Sequence, residues 1–241
     1  KGVLALSEEE LFSGKHPLED ATVIIRSHGI SKEIYTKLEN VSANIVDCTC
    51  PFVKKIHTTV EKYAEKGYDI VIIGSKAHPE VQGILGWCEG HGKALETEDE
   101  ALNFTLDDTT KKVCIVAQTT FNYKKFKDLV EILSKKGYDI IAVNTICNAT
   151  AERQKEAEEL AAVSDAMIVI GGKNSSNSRK LFEISKNQCE NTYFIQTLED
   201  LNLEQIQFSS SLGITAGAST PKNIIQEVLE ACQKKEVLRN Y

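Results

Sequence analysis

The chain reads as an α/β protein built from repeated βα units. Seven times along the chain, a short run rich in β-branched residues gives way to a polar loop of Ser, Thr, Gly and Asn, and a helical pattern then begins. The runs are almost wholly apolar, as expected of strands buried on both faces. The segments between them carry apolar residues at helical spacing. Strands that alternate with helices form parallel sheets with helices packed on both sides.

In chain order, the runs are residues 22–25 leading into RSHG, 44–46 into DCTCP, 70–73 into GSKAHPE, 113–116 into AQTTFN, 140–143 into NTICNAT, 166–170 into GGKNSSNS and 212–214 into TAGASTP. The helices can be checked by period. Val53, Ile56, Val60 and Tyr63 fall on one stripe, as do Phe126, Leu129, Val130 and Leu133, and again Ile224, Ile225, Val228 and Leu229. Thr220 followed by Pro221 reads as a helix N-cap and first helical position. The segments EKGYDIVIIG (65–74) and KKGYDIIAVN (135–144) echo one another. Either a shared helix-stop signal or a duplication accounts for the echo. So many similar units imply two or three small α/β domains, and no Pro- or Ser-rich linker separates them.

Composition narrows the class. The 241 residues, 41% hydrophobic and 26% charged, suit a soluble globular chain that buries its core without staples. The longest apolar runs are far too short to span a bilayer, so no membrane role is expected. A net charge of -7 argues against nucleic acid, which calls for a basic face. The seven cysteines are scattered, odd in number and without a C-x-x-C pair. That usage fits a reducing, cytoplasmic setting rather than a disulfide framework. Residue 1 is Lys, not Met, and no signal-peptide pattern follows, so the start is expected to be internal.

Chemistry is expected in the loops at the carboxyl ends of the strands, where open parallel sheets bind ligands. Each loop precedes a helix, whose free N–H groups and positive end suit an anion. The loop 173–178, KNSSNS, is the richest: Ser175, Ser176 and Asn177 offer more donors than one N-cap requires. Ser219, in TAGAS, sits in a similar loop beside Gly217. His28 and His78 occupy equivalent strand-end positions and suit phosphate contact or proton transfer. Glu80, two residues after His78, could join it in a proton relay. Cys50 and Cys147 also open helices, where the thiolate form that binds metal is favoured in general. Cys114 and Cys232 read as buried apolar residues, and His16, His57 and His91 as less specific.

Taken together, the segments RSHGIS, DCTCPFVKKIH, GSKAHPEVQG, AQTTFN, TICNATAERQ, GGKNSSNS and GITAGAS resemble, in order, those of the 4-hydroxy-3-methylbut-2-enyl diphosphate reductase family. The resemblance runs from about residue 20 to residue 225. It implies three small α/β domains with parallel sheets around a central cavity, here divided at residues 1–49, 50–145 and 146–241. It also implies a [4Fe–4S] cluster on three cysteines, two of which match Cys50 and Cys147, with one iron left open for substrate. The diphosphate would be held by His28, His78, Ser175, Asn177 and Ser219, with Ser176 in the same loop. Glu80 and Thr119 would contact the substrate hydroxyl and supply its proton, with His78 beside them. Reduced ferredoxin or flavodoxin is the implied electron donor, and isopentenyl and dimethylallyl diphosphate are the products. The family's first cluster cysteine lies in a Gly-Phe-Cys-type motif that this sequence does not contain. The third ligand is therefore expected to be missing, and the chain to be inactive unless it is supplied.

Two rival readings make other demands. A non-catalytic α/β module that binds a phosphorylated ligand would have similar loops but would not need Cys50 and Cys147 at matched strand ends. A diphosphate hydrolase or transferase would need a carboxylate cluster for Mg²⁺ near the Ser-rich loop, whereas the acidic residues sit mostly in helical stretches such as AERQKEAEE. Neither a G-x-G-x-x-G fingerprint nor a Walker A loop is present.

Overall fold

The structure is a computed structural model that describes residues 2–19, 21–41, 44–106, 112–202, 206 and 211–239. It divides into two compact units. The first comprises Lys1–Thr119 and Phe126–Thr145, the second Thr120–Lys125 and Ile146–Tyr241.

In the first unit, α1 (Glu8–Leu11) opens on a capping box between Ser7 and Glu10. β1 (Thr22–Ile25), α2 (Lys32–Asn40) and β2 (Asn44–Asp47) follow, and the two strands pair in parallel with Ile24 opposite Val46. Next come α3 (Pro51–Ala64), β3 (Asp69–Ile73), α4 (Pro79–Leu85), β4 (Gly92–Leu95), α5 (Glu98–Asn103), β5 (Lys112–Ala117), α6 (Tyr123–Ser134) and β6 (Asp139–Ala142). Their strands form a parallel sheet in the order β4-β3-β5-β6. Ile70 and Ile72 of β3 pack with Ile56 and Val60 of α3 and with Val81 and Ile84 of α4. Val71 and Ile73 alternate to the other face and are equally buried. Burying each such side chain stabilises the fold by roughly 2 kcal/mol.

The second unit contains α7 (Asn148–Ala162), β7 (Ala166–Ile170), α8 (Ser176–Gln188), β8 (Thr192–Ile195), a 3₁₀ turn (Leu198–Asp200), β9 (Leu212–Ala216) and α9 (Lys222–Arg239). The parallel order is β8-β7-β9. β7 explains its own unbroken apolar sequence. Ala166, Ile168 and Ile170 pack with Val228 and Cys232 of α9, while Val169 packs with Ala157 of α7 and Leu181 of α8. No helix among the described residues is long and apolar enough to cross a membrane.

The seven predicted strands are all present, within a residue or two at their ends. Two further strands, β4 and β8, have no counterpart in the sequence reading. Both are four-residue edge strands paired on one side, so their sequences (GKAL, TYFI) lack the full apolar run of a central strand. The last helix begins at Lys222, later than expected, because the Thr220 hydroxyl donates back to the Ile170 carbonyl at 3.0 Å instead of capping it. Leu229 is exposed rather than on the buried stripe, which continues to Cys232. The echo at Gly67 and Gly137 has a conformational basis. Both residues follow a helix at φ of 78° and 79°, a region that favours glycine.

Candidate functional site

The strand order of the first unit creates a crevice. The β3–β4 connection runs one way and the β5–β6 connection the other, so right-handed crossovers send the loops after β3 and β5 to opposite faces. Glu80 and Thr119 meet at this divide. Glu80 lies in the first turn of α4 and is 3% exposed. Thr119 donates its backbone N–H to Glu80 Oε1 at 2.6 Å and its hydroxyl to Oε2 at 2.8 Å. Burial pushes the Glu80 carboxyl above the ordinary carboxylate range, and the two Thr119 bonds only partly oppose it. The result is a carboxyl predisposed to keep a proton. Gln118 ties the two loops together by accepting the Ser75 N–H at 3.1 Å.

His78 caps α4, its Nδ1 accepting the Glu80 N–H at 3.2 Å. That bond requires an unprotonated Nδ1, so the ring proton of the neutral imidazole sits on Nε2, free to be donated. Burial, aided by His28 and the Arg26 charge, holds His78 down at about 4.

His28 comes from the loop after β1 and packs edge-on against His78, with ring centroids 5.3 Å apart. Its Nδ1 is buried and finds no partner among the described residues. Burial and Arg26 lower its pKa as well. The loop turns at Gly29, whose φ of +72° favours glycine. Beneath the turn lies His57, where an added Cβ on Gly29 would come within 2.7 Å of the imidazole Cε1. His57 stacks on Trp87 at 5.0 Å, and the Trp87 indole N–H donates to the Ile30 carbonyl at 2.9 Å. The Cys50 N–H donates to the Ser27 carbonyl, which fixes the same loop from the other side.

In the second unit, α8 and α9 pack on opposite faces of β7, so the loops after β7 and β9 also diverge at strand ends. Ser175 is the N-cap of α8 and accepts the Ser178 N–H at 3.3 Å. The Ser176 hydroxyl accepts from Thr120 at 3.0 Å. Asn177 is 8% exposed, and neither Oδ1 nor Nδ2 has a partner among the described residues. An unpaired buried amide is costly, and it is what a site kept for a polar ligand retains. Ser219 lies exposed in the turn after β9.

Cys50 and Cys147 are the N-caps of α3 and α7, with nearly equal backbone angles (φ -55°, ψ 134° and φ -62°, ψ 131°). Neither thiol makes a capping bond, in a position usually filled by Ser, Thr, Asp or Asn. Both are free and partly exposed, whereas Cys88, Cys114, Cys189 and Cys232 are buried. As soft donors released from capping duty, the two fit an iron–sulfur group. Among the described residues, no three His, Cys, Asp or Glu side chains are gathered into a metal-binding group.

Within the first unit the structure thus joins His28, His78, Glu80 and Thr119 through direct contacts. Within the second it sets Ser175, Ser176 and Asn177 at one helix start. Sequence reasoning missed Arg26, although RSHG contains it; here it is the cation whose charge reaches both His28 and His78. It also missed Gln118 and Thr120, which flank Thr119 in AQTTFN, and it set aside His57 as an ordinary helical residue.

A family model described as LytB protein matches residues 1–233. The 4-hydroxy-3-methylbut-2-enyl diphosphate reductase of Caldanaerobacter subterraneus subsp. tengcongensis is 46% identical over 230 residues, covering 95% of this chain and 78% of that protein. The enzyme of the same name from Clostridioides difficile is 47% identical over 210 residues, covering 86% and 74%. Among solved structures, the E-1-hydroxy-2-methyl-but-2-enyl-4-diphosphate reductase of Plasmodium falciparum superposes with a TM-score of 0.84 at 28% identity, covering 89% of this chain and 68% of that one. A second structure, of an (E)-4-hydroxy-3-methyl-but-2-enyl diphosphate reductase, gives 0.57 at 43% identity, covering 88% and 76%.

Proposed function

Because the chain belongs to the LytB protein family, we propose that it reductively removes the hydroxyl group of 4-hydroxy-3-methylbut-2-enyl diphosphate. The change takes up two electrons and two protons. The allylic C–O bond breaks, a C–H bond forms, and water leaves, giving isopentenyl or dimethylallyl diphosphate.

The observation that carries this reading is Glu80, a buried carboxyl with a raised pKa, bonded through both oxygens to Thr119 at a strand-end divide. In the proposed reaction Glu80 gives a proton to the departing hydroxyl oxygen, and the Thr119 hydroxyl relays it or holds the substrate oxygen in line. His78 donates from Nε2, and His28 lies against it. The two neutral imidazoles offer uncharged contacts for phosphate, and the Arg26 guanidinium supplies the positive charge beside them. Ser175, Ser176 and Asn177 supply uncharged donors at the α8 N-terminus, and Ser219 adds another from the next loop. A diphosphate close to Glu80 would raise its pKa further, keeping the acid loaded.

Cys50 and Cys147 are proposed as two ligands of a [4Fe–4S] cluster, which when bound supplies the reducing electrons. Reduced ferredoxin or flavodoxin is the proposed donor, and the cytoplasm the proposed location. We also propose that the chain has three α/β parts, meeting at residues 49/50 and 145/146. A binding module without chemistry would have no use for a buried carboxyl whose pKa is raised.

With the third cluster ligand supplied, turnover of the allylic diphosphate with dithionite-reduced methyl viologen tests the reading. Glu80→Gln should retain binding of inorganic pyrophosphate and lose turnover about a hundred- to ten-thousand-fold, the usual range for a lost general acid. Full activity in Glu80→Gln would overturn it.

A further inference from the structure

We propose that Ser178 is a positioning residue that turns the Ser175 hydroxyl into an obligate hydrogen-bond donor toward a phosphate oxygen. The inference rests on the proposed diphosphate role of Ser175.

Ser178 lies one turn into α8 and is 1% exposed. Its hydroxyl sits where two glycines leave room. A Cβ added to Gly171, at the end of β7, or to Gly217, at the end of β9, would in either case come within 2.2 Å of Ser178 Oγ. Any larger residue at these positions would displace the hydroxyl. The two loops are stitched together at the same place: the Gly217 N–H and the Thr220 hydroxyl both donate to the Ile170 carbonyl, at 2.9 and 3.0 Å.

The Ser178 hydroxyl donates to Ser175 Oγ at 3.0 Å, and the Ser178 N–H donates to the same atom at 3.3 Å. A hydroxyl has two acceptor positions and one proton. Both acceptor positions of Ser175 are filled from within the helix, which leaves its proton as the one hydrogen-bonding group for a ligand. Accepting two bonds also polarises that O–H and strengthens it as a donor. A hydroxyl so arranged suits an acceptor-only anion and gains nothing from a donor ligand. That a ligand is expected at this helix start follows independently from Asn177, whose buried amide is unpaired on both atoms. Ser178 does not itself reach outward; it acts through Ser175.

The test is a double-mutant cycle on the full chain, with inorganic pyrophosphate binding measured by calorimetry. Ser178→Ala should weaken binding about fivefold, the size of one modest hydrogen bond, and Ser175→Ala at least as much. The double variant should bind no more weakly than Ser175→Ala alone, because Ser178 has nothing left to act on. In turnover, Ser178→Ala should raise KM for the diphosphate substrate and leave kcat nearly unchanged, a split that general loosening of the helix would not produce. Multiplying effects in the double variant, or unchanged binding in Ser178→Ala, would overturn the inference while leaving the site itself standing. Unchanged binding in Ser175→Ala would overturn the diphosphate reading of this loop and the inference with it.

Discussion

Thr119 holds both carboxyl oxygens of Glu80, one through its backbone N–H and one through its hydroxyl, although the two residues lie 39 positions apart in sequence. Thr119→Val removes the hydroxyl bond and keeps the N–H bond. Both bonds lower the Glu80 pKa against the larger upward push of burial, so losing one lets the pKa rise further. A proton donor works while protonated, and its activity falls as pH rises through its pKa. The descending limb of the kcat–pH profile should therefore move to higher pH in Thr119→Val, with a lower plateau from the lost relay. A limb that stays in place or moves down would contradict the role given to this pair.

Asn177 sets stability against function. Its amide is buried without partners, so Asn177→Leu should raise the stability of the ligand-free chain by about 1 kcal/mol or more, since the desolvation penalty disappears. The same change should abolish most pyrophosphate affinity. Denaturant titration and calorimetry on one preparation check both halves, and a destabilised Asn177→Leu chain would show that the amide is structurally satisfied.

His57 should make the fold acid-sensitive. Burial lowers its pKa from the ordinary 6.5 to about 4. Between those values the unfolded chain binds more protons than the folded one, so stability present above pH 6.5 is lost as pH falls toward 4. The shift corresponds to about 3 kcal/mol across that window. His57→Phe, which can keep the stack on Trp87, should reduce the pH dependence of the unfolding midpoint over pH 4–6.5, with His78, also held at about 4, keeping part of it. An unchanged slope would mean that the ring is protonated in the fold.

The N-cap cysteines separate metal binding from folding. Serine accepts the capping bond that neither thiol makes, so Cys50→Ser and Cys147→Ser should leave stability unchanged or raise it by up to about 1 kcal/mol. Iron and sulfide content after anaerobic reconstitution should drop in both variants. Undiminished iron in either one would remove that cysteine from the ligand set.

The central strands, the helix stops at Gly67 and Gly137, and the order of the polar loops were legible in the sequence, because each rests on local chemistry. AMIVI, short and β-branched, suits a strand covered on both faces, and the Lys-Gly that ends each helical pattern before a strand suits a left-handed stop. The same local chemistry placed His28, His78, Glu80, Ser175 and Asn177 at strand ends. The edge strands GKAL and TYFI were not legible, since a strand paired on one side need not be apolar throughout.

Local chemistry along the chain thus sets its alphabet of βα units and the positions of its polar strand-end loops. Which side chains meet is set by the folded arrangement: Thr119 with Glu80, His28 with His78, His57 beneath Gly29, and Ser178 between Gly171 and Gly217. These contacts are non-local. They depend on strand order and crossover direction, which bring distant loops together through packing that no short window of sequence encodes.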